Sequence, residues 1–368
     1  MKNFRLNFLG ADLRGLKTIT FCLLALNVLS LVSIYSSLHQ AGQFSDPQKI
    51  LSKQIVWIIF SWLAIIIFTR INYRIYFDLA YLIYGLNLVL LIAVFFFGKK
   101  VMGAQRWIEI FGMNFQPSEL SKISAIIILA RFFSLSSPRG LVYGFLLPLI
   151  FIAINSLVIF IQPDLGTALI IVFLFFSLGL FSRIPKRFFI GLILLGLLIS
   201  PLLLSHLKDY QRRRLMVFMN PNLDPLGAGY SIIQSKIAIG SGKLSGKGFL
   251  SGTQNQFNFL PERHTDFIFT IIGEEWGFIG SLFLIVIYWL ILKKILNQAY
   301  RARDEFANFL CLGISIFFFL HLFINIGMTL GVLPVVGIPL IFLSYGGSNL
   351  LIAFILLGIF FNISRTVK

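Results

Sequence analysis

Three short segments place a carboxylate just where an apolar run begins: Gln116-Pro117-Ser118-Glu119, Gln162-Pro163-Asp164 and His264-Thr265-Asp266. Proline in the first turn of a helix gives up no hydrogen bond, and an acid there faces the positive end of the helix dipole. Glu119, Asp164 and Asp266 are therefore expected, ionised, at the openings of the fourth, sixth and eighth helices and at one level of the molecule. A carboxylate so placed can take a proton from a hydroxyl; it can also be a helix-start residue and nothing more. A basic stretch comes shortly before Asp266. In Gly240-Ser241-Gly242-Lys243-Leu244-Ser245-Gly246-Lys247-Gly248, glycines let backbone amides approach an anion, and Lys243, Lys247 and Arg263 are suited to a pyrophosphate. A solvated turn is the competing reading. The Walker pattern fails, with Ser241 at the first glycine and Gly248 at the Ser/Thr site, so ATP hydrolysis has no support.

Lys122 follows Glu119 by three residues, which puts both on one helix face as an ion pair, structural or functional. Glu274 and Glu275 lie further along the eighth helix than Asp266 and are expected to meet polar neighbours more readily than to do chemistry. Gly331 to Pro339 reads as irregular, and Ser344-Tyr345-Gly346-Gly347-Ser348 as small residues for close helix packing. His39, His206 and His321 receive no ligand role. Cys22 and Cys311 sit inside apolar runs, offering neither a disulfide framework nor a metal cluster.

The elements that must position these residues are membrane helices. Of 368 residues 58% are hydrophobic and 12% charged, far from the balance of a soluble domain. Apolar runs near the ~20 residues needed to cross a bilayer recur along the chain, at about 18–37, 55–70, 76–97, 119–136, 140–161, 165–182, 188–206, 266–292, 306–330 and 335–363. The expected fold is an all-α polytopic membrane domain over 1–368, with about ten crossings and a large extracytoplasmic loop, 207–265, between the seventh and eighth helices. The first run has no small-residue cleavage site and reads as retained. The net charge of +17 falls mainly in short gaps between helices, which speaks for topology and against nucleic acid. With both termini cytoplasmic, 17 Lys and Arg lie inside, against Lys49, Lys53, Lys99, Lys100 and Arg106 in the short outer loops.

The motifs resemble those of the SEDS proteins (shape, elongation, division, sporulation). Gly103-Ala104-Gln105-Arg106-Trp107, Gln116 to Lys122, Gln162-Pro163-Asp164-Leu165-Gly166-Thr167, Gly252-Thr253-Gln254, Leu260 to Phe269 and Gly273-Glu274-Glu275-Trp276-Gly277 carry the likeness from first helix to last. Asn325 to Thr329 and Pro334 to Pro339 are more similar to the RodA branch than to FtsW. Ile341 stands where the family pattern has Pro, and Asn349 where it has Ser. The resemblance implies a peptidoglycan glycosyltransferase that joins lipid II units outside the bacterial cytoplasmic membrane and releases undecaprenyl pyrophosphate. It implies that Asp266 is the essential acid and that Glu119 and Lys122 are the family's paired charges, with Arg106 and Asp164 at further motif positions. Implied partners are a class B penicillin-binding protein, whose transpeptidase cross-links the strands, and other elongation-complex proteins. Such a reaction needs a base and positive charge on the leaving phosphates, work that a divalent cation (magnesium or manganese), whose ligands the sequence does not fix, can share. A lipid II flippase, or a scaffold for the penicillin-binding protein, accounts for the same helices and charges.

Overall fold

A computed structural model describes residues 13–39, 47–101, 104–110, 113–135, 140–205, 216–227, 229–257 and 259–366. Readings that fall on Lys2, Arg5, Gly103, Arg139, His206, Lys208, Asp209, Arg212, Arg213, Arg214 and Lys368 lie outside these residues.

The chain is a bundle of helices: α1 (Leu13–Leu38), α2 (Pro47–Arg70), α3 (Arg74–Asp78), α4 (Ala80–Phe97), α5 (Pro117–Ser134), α6 (Leu147–Ile161), α7 (Leu165–Phe181), α8 (Lys186–Ser205), α9 (Tyr230–Ser241), α10 (Thr253–Gln256), α11 (Ile268–Glu275), α12 (Gly277–Arg301), α13 (Glu305–Thr329) and α14 (Gly347–Thr366). Seven spans among the described residues are long and apolar enough to cross a membrane: Gly15–Leu38, Pro47–Arg70, Ala80–Phe97, Val142–Ile161, Gly277–Arg301, Glu305–Thr329 and Gly347–Thr366. α5 carries the charges Glu119, Lys122 and Arg131, and α7 is shorter at 17 residues. The protein is an all-α polytopic membrane protein. Large apolar side chains such as Phe21, Val28, Leu86, Phe96 and Leu198 point outward, as a hydrocarbon solvent permits.

α5, α13 and α14 form the interior, with nearly every side chain of α5 from Pro117 to Phe133 buried. α14 packs along α2, where small residues bring the backbones together: a Cβ on Gly347 would meet the Trp57 indole at 2.0 Å, and one on Gly358 the Phe68 Cβ at 2.7 Å. The packing expected of Ser344 to Ser348 is thus realised at Gly347.

Several boundaries differ from the sequence reading. The third helix is interrupted at Leu79, and the fifth begins with a π turn (Val142–Leu146) ahead of Pro148, which has no amide to donate. The eighth is two helices, broken at Trp276 and Gly277, the latter with φ +66°. The tenth starts at Gly347; residues 334–346 run as irregular chain and turns. Between α4 and α5 lies an antiparallel three-stranded sheet, β1 (Lys99–Val101), β2 (Ala104–Ile110) and β3 (Met113–Phe115), pairing Lys99 with Trp107 and Ile108 with Phe115.

Candidate active site

α5 opens as its sequence dictates, with Gln116 as N-cap, Pro117 at the first position and Glu119 in the first turn. One turn on, the Lys122 ammonium donates to Glu119 Oε1 at 2.8 Å and Oε2 at 2.9 Å, and lies 3.3 Å from His321 Nε2 on α13. Three acceptors match the three protons of an ammonium, which is how Lys122 can be 1% exposed. His321 Nδ1 lies 3.1 Å from Pro339 O, so the bonding pattern calls for the tautomer protonated at Nδ1 with Nε2 left to accept from Lys122. The sequence reading gave His321 no part. Its partner is 199 positions away, and no local pattern announces such a contact.

Asp164 is the N-cap of α7, its carboxylate accepting from Thr167 N at 3.3 Å; Pro163 therefore precedes the helix instead of opening it. Asp164 Oδ2 also accepts from Ser118 Oγ and from Gln116 Nε2, each at 2.9 Å, which joins the starts of α5 and α7. Arg106, on β2, places Nη1 4.0 Å from Asp164 Oδ1 while donating to the carbonyls of Gln162, at 3.0 Å, and Pro163. Glu119, Lys122, Asp164 and Arg106 thus gather at one end of the bundle, as expected.

Asp266 reaches the same end by a different route. It does not open a helix: it lies in a turn two residues ahead of α11, whose N-cap is Phe267. The turn is held from outside by Tyr345 N on His264 O (2.8 Å), Ser344 Oγ on Thr265 O (2.6 Å) and Asn325 Nδ2 on Asp266 O (2.9 Å). Gly337, at φ +73°, leaves space beside the carboxylate; a Cβ there would lie 3.5 Å from Asp266 Oδ2. The segment from Val336 to Ile338 also touches the start of α7, because a Cβ on Gly166 would meet Val336 O at 2.7 Å. The irregular chain before α14 therefore lies between the Asp164 and Asp266 ends of the site. Asp266 is partly exposed.

The basic loop is built differently from the expectation. Lys247 Nζ is 2.9 Å from Glu274 Oε1, and the fully buried Glu274 carboxylate also accepts from Gln254 N at 3.0 Å and Asn255 Nδ2 at 2.7 Å. Glu274 is an anchor for the loop, and Lys247 is its counter-ion. Nor do the glycine-loop amides form an anion cradle. Lys247 N and Gly248 N donate to the Glu274 and Glu275 carbonyls that end α11, while the Lys243 and Leu244 carbonyls accept from Phe278 N and Ile279 N of α12. The loop thus satisfies both ends of the helix break. Its glycines serve backbone approach: a Cβ on Gly242 would come within 1.9 Å of Gly273 O, and one on Gly246 within 2.1 Å of Glu275 O. Arg263 is 7% exposed with Nε donating to Ser37 O at 2.6 Å, and burial pushes its guanidinium down from the usual value. Burial likewise holds His264 below the ordinary imidazole range. Lys243 is exposed at the loop tip. Glu275, which accepts from Ser36 Oγ on α1, is a packing partner. Among the described residues no three His, Cys, Asp or Glu side chains converge as a metal site.

The chain is thus a polytopic helical bundle with a buried ion pair and a clamped carboxylate at one end. The chain belongs to the FtsW/RodA/SpoVE family of cell cycle proteins, whose model matches residues 17–368. It is 40% identical over 352 residues to the peptidoglycan glycosyltransferase MrdB of Escherichia coli (strain K12), covering 94% of this chain and 92% of that one. It is 36% identical over 354 residues to a probable peptidoglycan glycosyltransferase FtsW of Trichlorobacter lovleyi, covering 94% and 91%. A chain of a solved peptidoglycan synthase complex, described as coordinating polymerization and crosslinking, superposes with a TM-score of 0.81 at 29% identity, covering 97% and 98%. The family expected from the motifs is the family found, and the protein is a multi-pass protein of the bacterial inner membrane.

Proposed function

We propose that this chain is a peptidoglycan glycosyltransferase that polymerises lipid II into glycan strands at the outer face of the cytoplasmic membrane, during cell elongation and rod-shape maintenance. The observation that carries the reading is Asp266, a partly exposed carboxylate whose backbone is fixed on three successive carbonyls. In the reaction the acceptor sugar hydroxyl attacks the anomeric carbon of the donor. Asp266 takes the hydroxyl proton, the bond from that carbon to the phosphate oxygen breaks, and undecaprenyl pyrophosphate leaves. Substrate contact is assigned to the exposed Lys243 and to the part-exposed Arg106, cations that would offset the charge of the phosphates. Asp164 ties the start of α7 to that of α5, and the Glu119–Lys122 pair lies one turn further along α5. Lys247 and Arg263 support the site through the loop and not through the pyrophosphate.

Both termini are on the cytoplasmic side in this reading, and the loop end faces outward. The partner is a class B penicillin-binding protein, with other elongation proteins around it; the similarity to a chain of a synthase complex supports such an assembly. The test is incubation of the purified chain, alone and with its partner, with lipid II. Glycan ladders support the proposal. Lipid II carried across a vesicle without polymer would indicate a flippase, and neither result a scaffold.

A further inference from the structure

Asp266 owes its placement to no helix of its own, so something else must fix it. Asn325 lies on α13, fully buried, and its Nδ2 donates both to Asp266 O at 2.9 Å and to Ile338 O at 2.8 Å. The two protons of one amide thus join the Asp266 turn to the irregular segment beside it. Ser344 does the same from the other side: its hydroxyl donates to Thr265 O and accepts from Leu340 N at 2.9 Å. With consecutive carbonyls held, the Cα–Cβ direction of Asp266 is set, and only its two side-chain torsions remain.

We propose that Asn325 and Ser344 are positioning residues that aim the Asp266 carboxylate by clamping the carbonyls of residues 265 and 266 onto the 338–344 segment. They touch backbone and not substrate, so their removal displaces a base without removing it. A displacement of about 1 Å at a reacting group is enough for a loss on the order of 10²-fold. The inference rests on the catalytic reading of Asp266.

The experiment compares full-length Asn325→Leu, Ser344→Ala and Ser344→Thr with the parent, each also in an Asp266→Asn background. Readouts are kcat and KM for lipid II polymerisation, and hydrogen exchange of peptides covering 264–270 and 337–345. Asn325→Leu should lower kcat by about 10- to 100-fold with KM within about threefold, and should speed exchange in both peptides while α5 exchanges as in the parent. Ser344→Ala should fall in the same direction and Ser344→Thr, which keeps the hydroxyl, should recover most of the loss. In the Asp266→Asn background either loss should shrink to about twofold or less, because a base already removed cannot be misplaced. Should Asn325→Leu not fold, the Ser344 pair carries the same test. A parent-like kcat for Asn325→Leu and Ser344→Ala, or an undiminished loss without Asp266, overturns the clamp while leaving the reaction intact. If Asp266→Asn itself polymerises like the parent, the catalytic reading falls and the proposal falls with it.

Discussion

Replacing Lys122 with Met removes a cation that is 1% exposed and leaves the Glu119 carboxylate buried without it. At 2.8 Å and an effective dielectric of about 20, the gross attraction is about 6 kcal/mol. Part of that is returned because a Met stem needs no hydration, and breaking one side of a buried pair elsewhere costs about 3–5 kcal/mol. His321 Nε2 also loses its donor, which keeps the expected loss at the upper end of that range. Thermal unfolding in detergent, followed by tryptophan fluorescence, reads the loss as a lowered midpoint. Glu119→Gln with Lys122→Met should return stability to within about 1.5 kcal/mol of the parent, since two neutral side chains of similar size leave no charge unpaired. A single variant within about 1 kcal/mol of the parent, or a double variant as unstable as the single, would refute the view that a desolvated pair holds α5.

Asp266→Asn, which keeps the size of the side chain, should cut lipid II polymerisation by about 10²–10⁴-fold; activity within about threefold of the parent would remove Asp266 from the base role. Because burial lowers the His264 pKa, the neutral ring stabilises the native state at pH 7. That contribution declines as the pH falls below about 6.5, where the unfolded chain binds the proton first. His264→Gln should flatten this decline in a series of unfolding midpoints, and an unchanged slope would count against it. Cysteines introduced at Lys243 and Arg301 should differ in labelling by an impermeant thiol reagent in intact cells, with Lys243 reactive. Cys22 and Cys311 are buried and give little background, and equal labelling would overturn the sidedness. Mild detergent extraction should recover a single-pass class B penicillin-binding protein with this chain, and its absence would weaken the partner reading.

Much of the site could be read from the sequence because it is local. Glu119 and Lys122 pair across one turn, Asp164 caps the helix it precedes, and proline marks the start of α5. Asp266 stood out beside them in the sequence, and the family motifs marked it as the essential acid. What could not be read is non-local. The run from Phe267 to Leu292 is apolar on both sides of Gly273-Glu274-Glu275-Trp276-Gly277, and its helical period does not reveal that Gly277 turns left-handed there. The reason lies some thirty residues earlier, in carbonyls at Lys243 and Leu244 that replace the missing helix partners. Lys247 and Arg263 looked like phosphate ligands because a cation's partner is invisible in a sequence; Glu274 and the Ser37 carbonyl had already taken them. His321 and Asn325 lay in an apolar helix where a single polar residue is as easily packing as function, and only the path of residues 337–339 shows what they hold.

The joint between the 242–256 loop and the α11–α12 break also bears on how the protein is made. The loop is synthesised before the residues that complete it, so its amides and Lys247 must wait until Glu274, Glu275 and Phe278 have been translated and inserted. Conversely, α11 carries a glutamate that is costly to bury until the waiting Lys247 docks on it. This joint therefore cannot close before the first turn of α12, with Phe278 and Ile279, has been made. A variant that lengthens the glycine loop would be expected to insert normally and yet stall short of the finished fold.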